Sequence, residues 1–108
     1  MFFNRIYNKL SVDEIEDKIR TTGKIDISEL EYIVYLGWEI FFKYNDEEYE
    51  VIQNGSVIEL YCGVLYDGFK SQSESVQKFS TPKEFVTKAQ LKGQNIAKVI
   101  DKIIILHC

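Results

Sequence analysis

The sequence has few of the residues from which disulfide frameworks, zinc sites and catalytic dyads are built. It contains two cysteines, one histidine and one proline in 108 residues. Cys62 and Cys108 form no C-x-x-C pair and have no histidine between them, which argues against disulfides and against zinc. We therefore expect no metal and no cofactor, with Cys62 a reduced core residue and Cys108 a thiol at a frayed end.

Motifs for nucleophilic or phosphate chemistry are also lacking. The single histidine, His107, is the penultimate residue, where a fraying chain holds catalytic geometry poorly. The six glycines are scattered, and none stands in a G-x-x-x-x-G-K or G-x-G-x-x-G setting. The sequence therefore predicts no catalytic residues and favours a protein that is not an enzyme.

Long hydrophobic runs are absent, and the charge is moderate. No run approaches the roughly 18 apolar residues of a membrane helix, and "MFFNRIYNKL" lacks the apolar core of a secretory signal. The net charge is −4, with six basic and thirteen acidic residues in 1–66 against seven and four in 67–108. This pattern predicts a cytoplasmic protein with an acidic end that suits a basic partner, no membrane partner, and little affinity for nucleic acid.

What the sequence does contain is helix-start chemistry, which occurs three times. In each case a capping residue is followed three positions later by a glutamate. The pairs are Ser11 with Glu14, Asp26 with Glu29, and Thr81 with Glu84, and Pro82 stands at the first helical position of the third. These pairs predict two helices near the N-terminus and one beginning at residue 82.

Helix ends are marked by glycine. Gly23, Gly37 and Gly93 fall just past the three helical stretches and are predicted to stop them. A fourth helix is predicted after Gly93, because apolar residues at 96, 99, 100 and 103 have helical spacing. The final "IIILHC" fits either an extension of that helix or an edge strand, and its β-branched residues favour the strand slightly.

Between the second and third helices the apolar period changes to two, which predicts an antiparallel meander. We place two-residue turns at Asp46-Glu47 and Asn54-Gly55, with a third at Asp67-Gly68 leading to a strand from Phe69, and read residues 71–75 as an exposed loop. The apolar face of the sheet is predicted to pack beneath the helices and to comprise Ile40, Phe42, Tyr44, Tyr49, Val51, Ile58, Leu60 and Cys62. The fold class is α+β in a single domain, 1–108: a three- to four-stranded antiparallel meander with two N-terminal and two C-terminal helices packed mainly on one face.

Four carboxylates crowd the first turn: Asp46, Glu47, Glu48 and Glu50. Calcium favours oxygen-rich clusters, but the spacing lacks the glycine and the terminal glutamate of an EF-hand loop. The register places Glu50 beside Glu59 on an open face, where no desolvated cleft would raise a pKa for acid–base chemistry. We interpret these acids as solvated.

The outer face of the sheet offers the most specific functional candidate. Phe41, Ile52, Val57 and Tyr61 form an apolar strip, bounded by an acidic rim of Glu39, Glu50 and Glu59. An apolar patch with a polar rim is typical of protein interfaces. Equally, residues 1–10, with their own apolar side chains, could fold over this face, and the sequence leaves both alternatives open.

The stretch "LGWEIFFKYNDEEYEVI", followed by "KFSTPKEFVTKAQLKGQNIAKVIDKI", resembles small uncharacterised α+β proteins of Gram-positive bacteria. The likeness covers roughly residues 30–103 and rests on core and cap positions: Gly37, Glu39, Ile40, Phe42, Tyr44, Tyr49 and the segment from Phe79 to Phe85. Such proteins occur in phage-like or mobile regions, so the resemblance implies a small binding or immunity-like role and carries over no catalytic residue.

Three functions follow as hypotheses. The first is a non-enzymatic protein-interaction module, immunity- or antitoxin-like, whose partner is a basic protein or a second copy in a homodimer. The second is a small enzyme or ligand-binding domain with a tyrosine-lined pocket between helices and sheet. The third is nucleic-acid binding through the lysines of the C-terminal helices, Lys83, Lys88, Lys92, Lys98 and Lys102.

Overall fold

A computed structural model of the chain describes residues 12–62 and 76–107. In chain order these contain α1 (Val12–Thr21), α2 (Ile27–Tyr35), β1 (Ile40–Tyr44), β2 (Glu47–Asn54), β3 (Val57–Cys62), β4 (Gln77–Phe79), α3 (Pro82–Lys88), β5 (Gln90–Leu91), β6 (Gln94–Asn95), a 3-10 helix (Ile96–Lys102) and β7 (Ile104–His107). The α+β class is confirmed. The predictions for Ser11, for the turn at Asp67-Gly68 and for residues 71–75 lie outside the described residues.

The main sheet has five strands in the order β4-β3-β2-β1-β7, and every neighbouring pair is antiparallel. The predicted count of three to four strands was therefore too low. Of the two alternatives for "IIILHC", the strand is observed, and it pairs with β1 far back in the sequence. Leu106 is the extra residue of a bulge in β7, because Phe42 pairs with Ile105 while Phe41 pairs with His107.

Both hairpin turns lie one residue from their predicted positions. The first turn is Asn45-Asp46, where both residues have positive φ (57° and 69°), as a type I′ turn requires. The second is Gly55-Ser56, with positive φ at Gly55 alone, as in a type II′ turn. Moving a two-residue turn by one position changes the pairing by two residues, so each side chain keeps its predicted face.

The helix starts were predicted correctly where the structure describes them. The Asp26 side chain accepts a hydrogen bond from the Glu29 backbone N–H, and the Glu29 carboxylate accepts one from the Asp26 N–H at 2.8 Å, completing a capping box. Thr81 caps α3 in the same way through the Glu84 N–H. Glu84 itself reaches back to the N–H of Ser80, one residue further than a capping box places it.

The C-terminal part differs from the prediction. Gly23 and Gly37 end α1 and α2 with positive φ, but α3 stops at Lys88 and Gly93 belongs to a β-hairpin turn between β5 and β6. The predicted fourth α-helix is a 3-10 helix kinked at Val99 (φ −113°, ψ 15°). Asn95 caps it by accepting from the Ala97 N–H.

The hydrophobic core lies between the helices and the predicted apolar face of the sheet. All members of that face are buried except Cys62, which is half-buried. They join helix residues such as Leu30, Ile33 and Phe85 in one cluster. No helix among the described residues is long and apolar enough to cross a membrane.

Candidate functional site

Six of the seven predicted interface residues lie on the outer face of β1 to β3 and Glu39 directly precedes β1, but their exposure differs from the prediction. Glu39 is exposed, and the strip of Phe41, Ile52, Val57 and Tyr61 is half-buried. Glu50 and Glu59 are only 4% and 6% exposed. The interpretation of these two acids as a solvated rim was therefore wrong.

The observed register explains part of this difference. Glu50 lies opposite Tyr61 on one side and Phe41 on the other, and Glu59 lies opposite Ile52 and Lys78. The two acids are diagonal neighbours, not the directly opposed pair that was predicted. The Tyr61 hydroxyl donates a 2.8 Å hydrogen bond to Glu59 Oε1, so this carboxylate has a partner within the sheet.

Two large aliphatic side chains on β7 are exposed, and the sequence prediction missed both. Ile104 is 37% exposed and pairs with Lys43 on the outer face, and Leu106, at the bulge, is 40% exposed. They were missed because the pairing of β7 with β1 was not predicted. The run of β-branched residues from Ile103 to Ile105 was the available signal for a strand, but it does not indicate which strand is its partner.

The four acids near the first turn separate instead of forming a cluster. Asp46 lies in the turn and Glu48 is exposed, Glu50 faces the outer side, and Glu47 has the parity of Tyr49 on the inner side. Within residues 12–62 and 76–107, no three His, Cys, Asp or Glu side chains are grouped so that they could hold a metal ion.

Glu47 instead lines a cavity of about 280 Å³ on the inner side, at the end of β2 and β3. The cavity is bounded by the sheet and by the β5–β6 hairpin. Its lining residues are Glu47, Tyr49, Leu60, Cys62, Gln77, Gln90, Lys92 and Gly93.

Glu47 is the centre of a polar network in this cavity. The Cys62 thiol donates to Glu47 Oε1 at 3.0 Å, and Lys92 Nζ lies 3.3 Å from Glu47 Oε2. The hydrogen bond from Cys62 and then the Lys92 ammonium hold the pKa of Glu47 below its usual value. Glu47 and Lys92 are 42% and 41% exposed at their side chains, so the ion pair stands at the mouth of the cavity.

The inner end of the network is neutral. Burial, followed by the hydrogen bond to Glu47, raises the pKa of the Cys62 thiol to about 11. Burial also raises the pKa of Tyr49 to about 12. A thiol that stays protonated at neutral pH is a poor nucleophile, so Cys62 acts here as a hydrogen-bond donor.

The hairpin that closes the cavity is fixed in place by side-chain bonds. The Gln77 amide donates from Nε2 to the Gln90 carbonyl (2.8 Å) and accepts from the Gln90 N–H (2.9 Å), as a neighbouring strand would. Asn95 Nδ2 donates to the Thr87 carbonyl at 2.8 Å. These bonds join the hairpin to β4 and α3 and preform the wall that carries Lys92.

This cluster was missed because the first turn was placed one residue too late and residue 92 was assigned to a helix. With the turn at Asn45-Asp46, alternation puts Glu47 on the same face as Tyr49 and Cys62. Gly93 was the available hairpin signal, because glycine readily supplies the positive φ that a two-residue hairpin turn needs. The five lysines of the nucleic-acid hypothesis are accordingly spread over α3, this turn and the 3-10 helix.

The remaining predicted positions add little to either surface. His107 lies in β7, in register with Phe41. Cys108 lies outside the described residues. So does the segment 1–10, which was one of the two alternatives for what meets the outer face. Comparison with protein-family models, with curated proteins and with solved structures finds no match to this chain.

Proposed function

We propose that this protein is a non-enzymatic protein-interaction module that binds its partner on the outer sheet face beside β7. The observation that carries this proposal is the exposure of Ile104 and Leu106 next to the half-buried Phe41. Isolated exposed apolar residues are common. Two exposed apolar side chains on one edge strand, next to the apolar strip, are typical of an interaction surface.

The partner is a second copy of the chain or a basic protein, in an immunity-like cytoplasmic role. Because Glu50 and Glu59 are buried, electrostatic steering falls to the exposed Glu39 and Glu48 and to the net charge of −4. Long-range steering raises the association rate more than the affinity. A fall in association rate with increasing salt is therefore expected for a basic partner.

A comparison of two leucines tests the location of the interface. Leu106→Lys places a charge on the proposed surface, and Leu36→Lys is its matched control because Leu36 is 38% exposed at the end of α2. We expect Leu106→Lys to weaken association at least tenfold while the thermal unfolding midpoint stays close to that of Leu36→Lys. Size-exclusion chromatography with light scattering measures self-association, and capture from a cell lysate measures binding of another protein.

Two results would contradict the proposal. One is a chain that remains monomeric at high concentration and captures no protein. The other is association that survives Leu106→Lys unchanged or that Leu36→Lys disrupts equally, since either would move the interface away from β7.

A second candidate function, binding of a small molecule, is favoured by the inner cavity with Tyr49 in its wall. At about 280 Å³ it lies near the lower limit of ligand-binding cavities, roughly 300 Å³. Nucleic-acid binding remains third, and salt-sensitive retention on an immobilised oligonucleotide would favour it.

A further inference from the structure

We propose that the cavity between the β2–β3 end of the sheet and the β5–β6 hairpin is a binding site for a small zwitterion of the amino-acid class. In this assignment Glu47 binds the ammonium group of the ligand and Lys92 binds its carboxylate. The inference rests on the second candidate function, small-molecule binding, and names the ligand class.

The size of the cavity limits the ligand. Its volume of about 280 Å³ corresponds to roughly nine water molecules at about 30 Å³ each. Leu60 and Tyr49 also line the cavity and are buried, whereas Glu47 and Lys92 are partly exposed. A small molecule with charged groups at one end and a short apolar remainder matches this division.

The charges at the mouth indicate a ligand that carries both signs. Glu47 Oε2 and Lys92 Nζ are 3.3 Å apart, so an anion alone would meet the carboxylate and a cation alone would meet the ammonium. A zwitterion satisfies both groups at once. Because an ion pair exposed to water is weak, the pair opens at little cost when a ligand supplies the matching charges.

The backbone of Lys92 provides an independent observation. Lys92 has φ of 52° and Gly93 has φ of 81°, and Leu91 pairs with Gln94, which together define a two-residue type I′ turn. Asparagine, aspartate and glycine adopt the first position of such a turn with less strain than lysine. A residue held in a costly conformation beside a cavity suggests that its side chain has a role there.

The rest of the wall is ready to receive a ligand. Both hydrogen-bonding atoms of the Gln77 amide are engaged by Gln90, so the hairpin is held without a bound molecule. The Cys62 thiol donates to the Glu47 oxygen that does not face Lys92 and so orients the carboxylate. A preformed site loses less conformational entropy on binding.

Three small probes test the proposal in ¹H–¹⁵N NMR titrations of the full chain: L-alanine as the zwitterion, acetate as the anion and methylammonium as the cation. We expect saturable shifts of the Gln90, Lys92 and Gly93 amides with alanine, and at least tenfold weaker binding of acetate and methylammonium. Equal binding of acetate or methylammonium would overturn the zwitterion class while leaving the cavity a ligand site. An absence of saturable shifts with all three probes would overturn both the class and the second candidate function.

A substitution separates binding from folding. Lys92→Asn removes the ammonium and places a residue that tolerates positive φ in the turn, so it is expected to retain or raise the unfolding midpoint while weakening alanine binding at least tenfold. Lys98→Asn, on the exposed side of the 3-10 helix and outside the cavity, is the control and should change alanine binding less than twofold. Unchanged binding by the Lys92→Asn variant would overturn the assignment of Lys92.

Discussion

At the scale of single residues, the state of an ionisable side chain depends on what its neighbours are. Glu47 and Glu50 belong to the same acidic stretch, yet one pairs with Lys92 at a cavity mouth and the other is buried on the opposite side of the sheet. Strand alternation predicts which side each takes once the turn is placed. It does not predict the neighbours, because Lys92 comes from a hairpin far along the chain.

The raised pKa of Cys62 predicts a slowly reacting thiol. In a Cys108→Ser background, we expect alkylation by iodoacetamide at pH 8 to be about tenfold slower than for a free cysteine. The raised pKa leaves a much smaller fraction of Cys62 as thiolate. The greater nucleophilicity of a more basic thiolate compensates for only part of this loss. Glu47→Gln should speed the reaction by removing the negative charge beside the sulfur. Labelling followed by mass spectrometry measures the rate.

Glu48→Gln is the matched control for this experiment, because residue 48 faces the outer side of the same strand. It should leave the rate unchanged. A rate for the native thiol equal to that of free cysteine, or an equal effect of the two glutamine variants, would contradict the assigned environment.

At the scale of elements, local sequence signals predicted what local contacts decide. The capping residues Asp26 and Thr81 and the alternation of β1 to β3 depend on neighbours within a few positions, and the structure confirms them. The segment after Lys88 was predicted incorrectly because helix-like spacing at residues 96–103 also fits two short 3-10 turns. In sequence, a seven-residue helix followed by a hairpin with a glycine in its turn looks almost the same as one longer helix that ends at that glycine.

The end of α1 provides a prediction about glycine. Gly23 has φ of 71°, and a Cβ there would lie 2.8 Å from Ile104 Cγ2 and 3.2 Å from the Ile105 carbonyl oxygen. Gly23→Ala is therefore expected to lower the free energy of unfolding by about 2–4 kcal/mol, the sum of backbone strain and overpacking. Chemical denaturation measures the change.

Gly37→Ala supplies the control, because Gly37 also ends a helix with positive φ but would place its Cβ at an ordinary 3.5 Å from Gln53 Oε1. Strain alone should cost about 1 kcal/mol there. Equal losses in the two variants would contradict the close packing of Gly23 against β7.

At the scale of the whole molecule, the sequence predicted the α+β class and the buried face of the sheet, but not the pairing of β7 with β1. Eight apolar positions on β1 to β3 were assigned to the core, and seven are buried. The pairing of β7 with β1 could not be predicted, because a strand that joins a distant partner has no turn between them to fix its register. The degree of exposure of the outer face was also beyond the sequence, as the burial of Glu50 and Glu59 demonstrates.

The two raised pKa values predict how stability depends on alkaline pH. Folding raises the pKa of Cys62 from 9.0 to about 11 and that of Tyr49 from 10.0 to about 12. The unfolded chain therefore releases these protons at lower pH than the folded chain, and the stability present below pH 9 is lost as pH rises toward 12. Urea unfolding at a series of pH values measures the slope.

Cys62→Ala should flatten the part of this slope between about pH 9 and pH 11 and leave the part governed by Tyr49. Cys108→Ser serves as the thiol control. Stability that stays constant from pH 9 to pH 12 would contradict the burial of both groups.

The placement of β7 has a consequence for colloidal behaviour. Strand β1 contains the segment "IFFKY", which has high β propensity, and its outer hydrogen-bonding edge is covered by β7. On the opposite edge of β7, the Ile105 backbone N–H donates a 2.7 Å hydrogen bond to the Gly23 carbonyl. The turn after α1 therefore holds β7 against β1. If this hydrogen bond were lost and β7 detached, the unpaired edge of β1 could pair with strands of other molecules while the rest of the fold stayed intact. We expect fibrillar aggregation in concentrated samples as the first consequence.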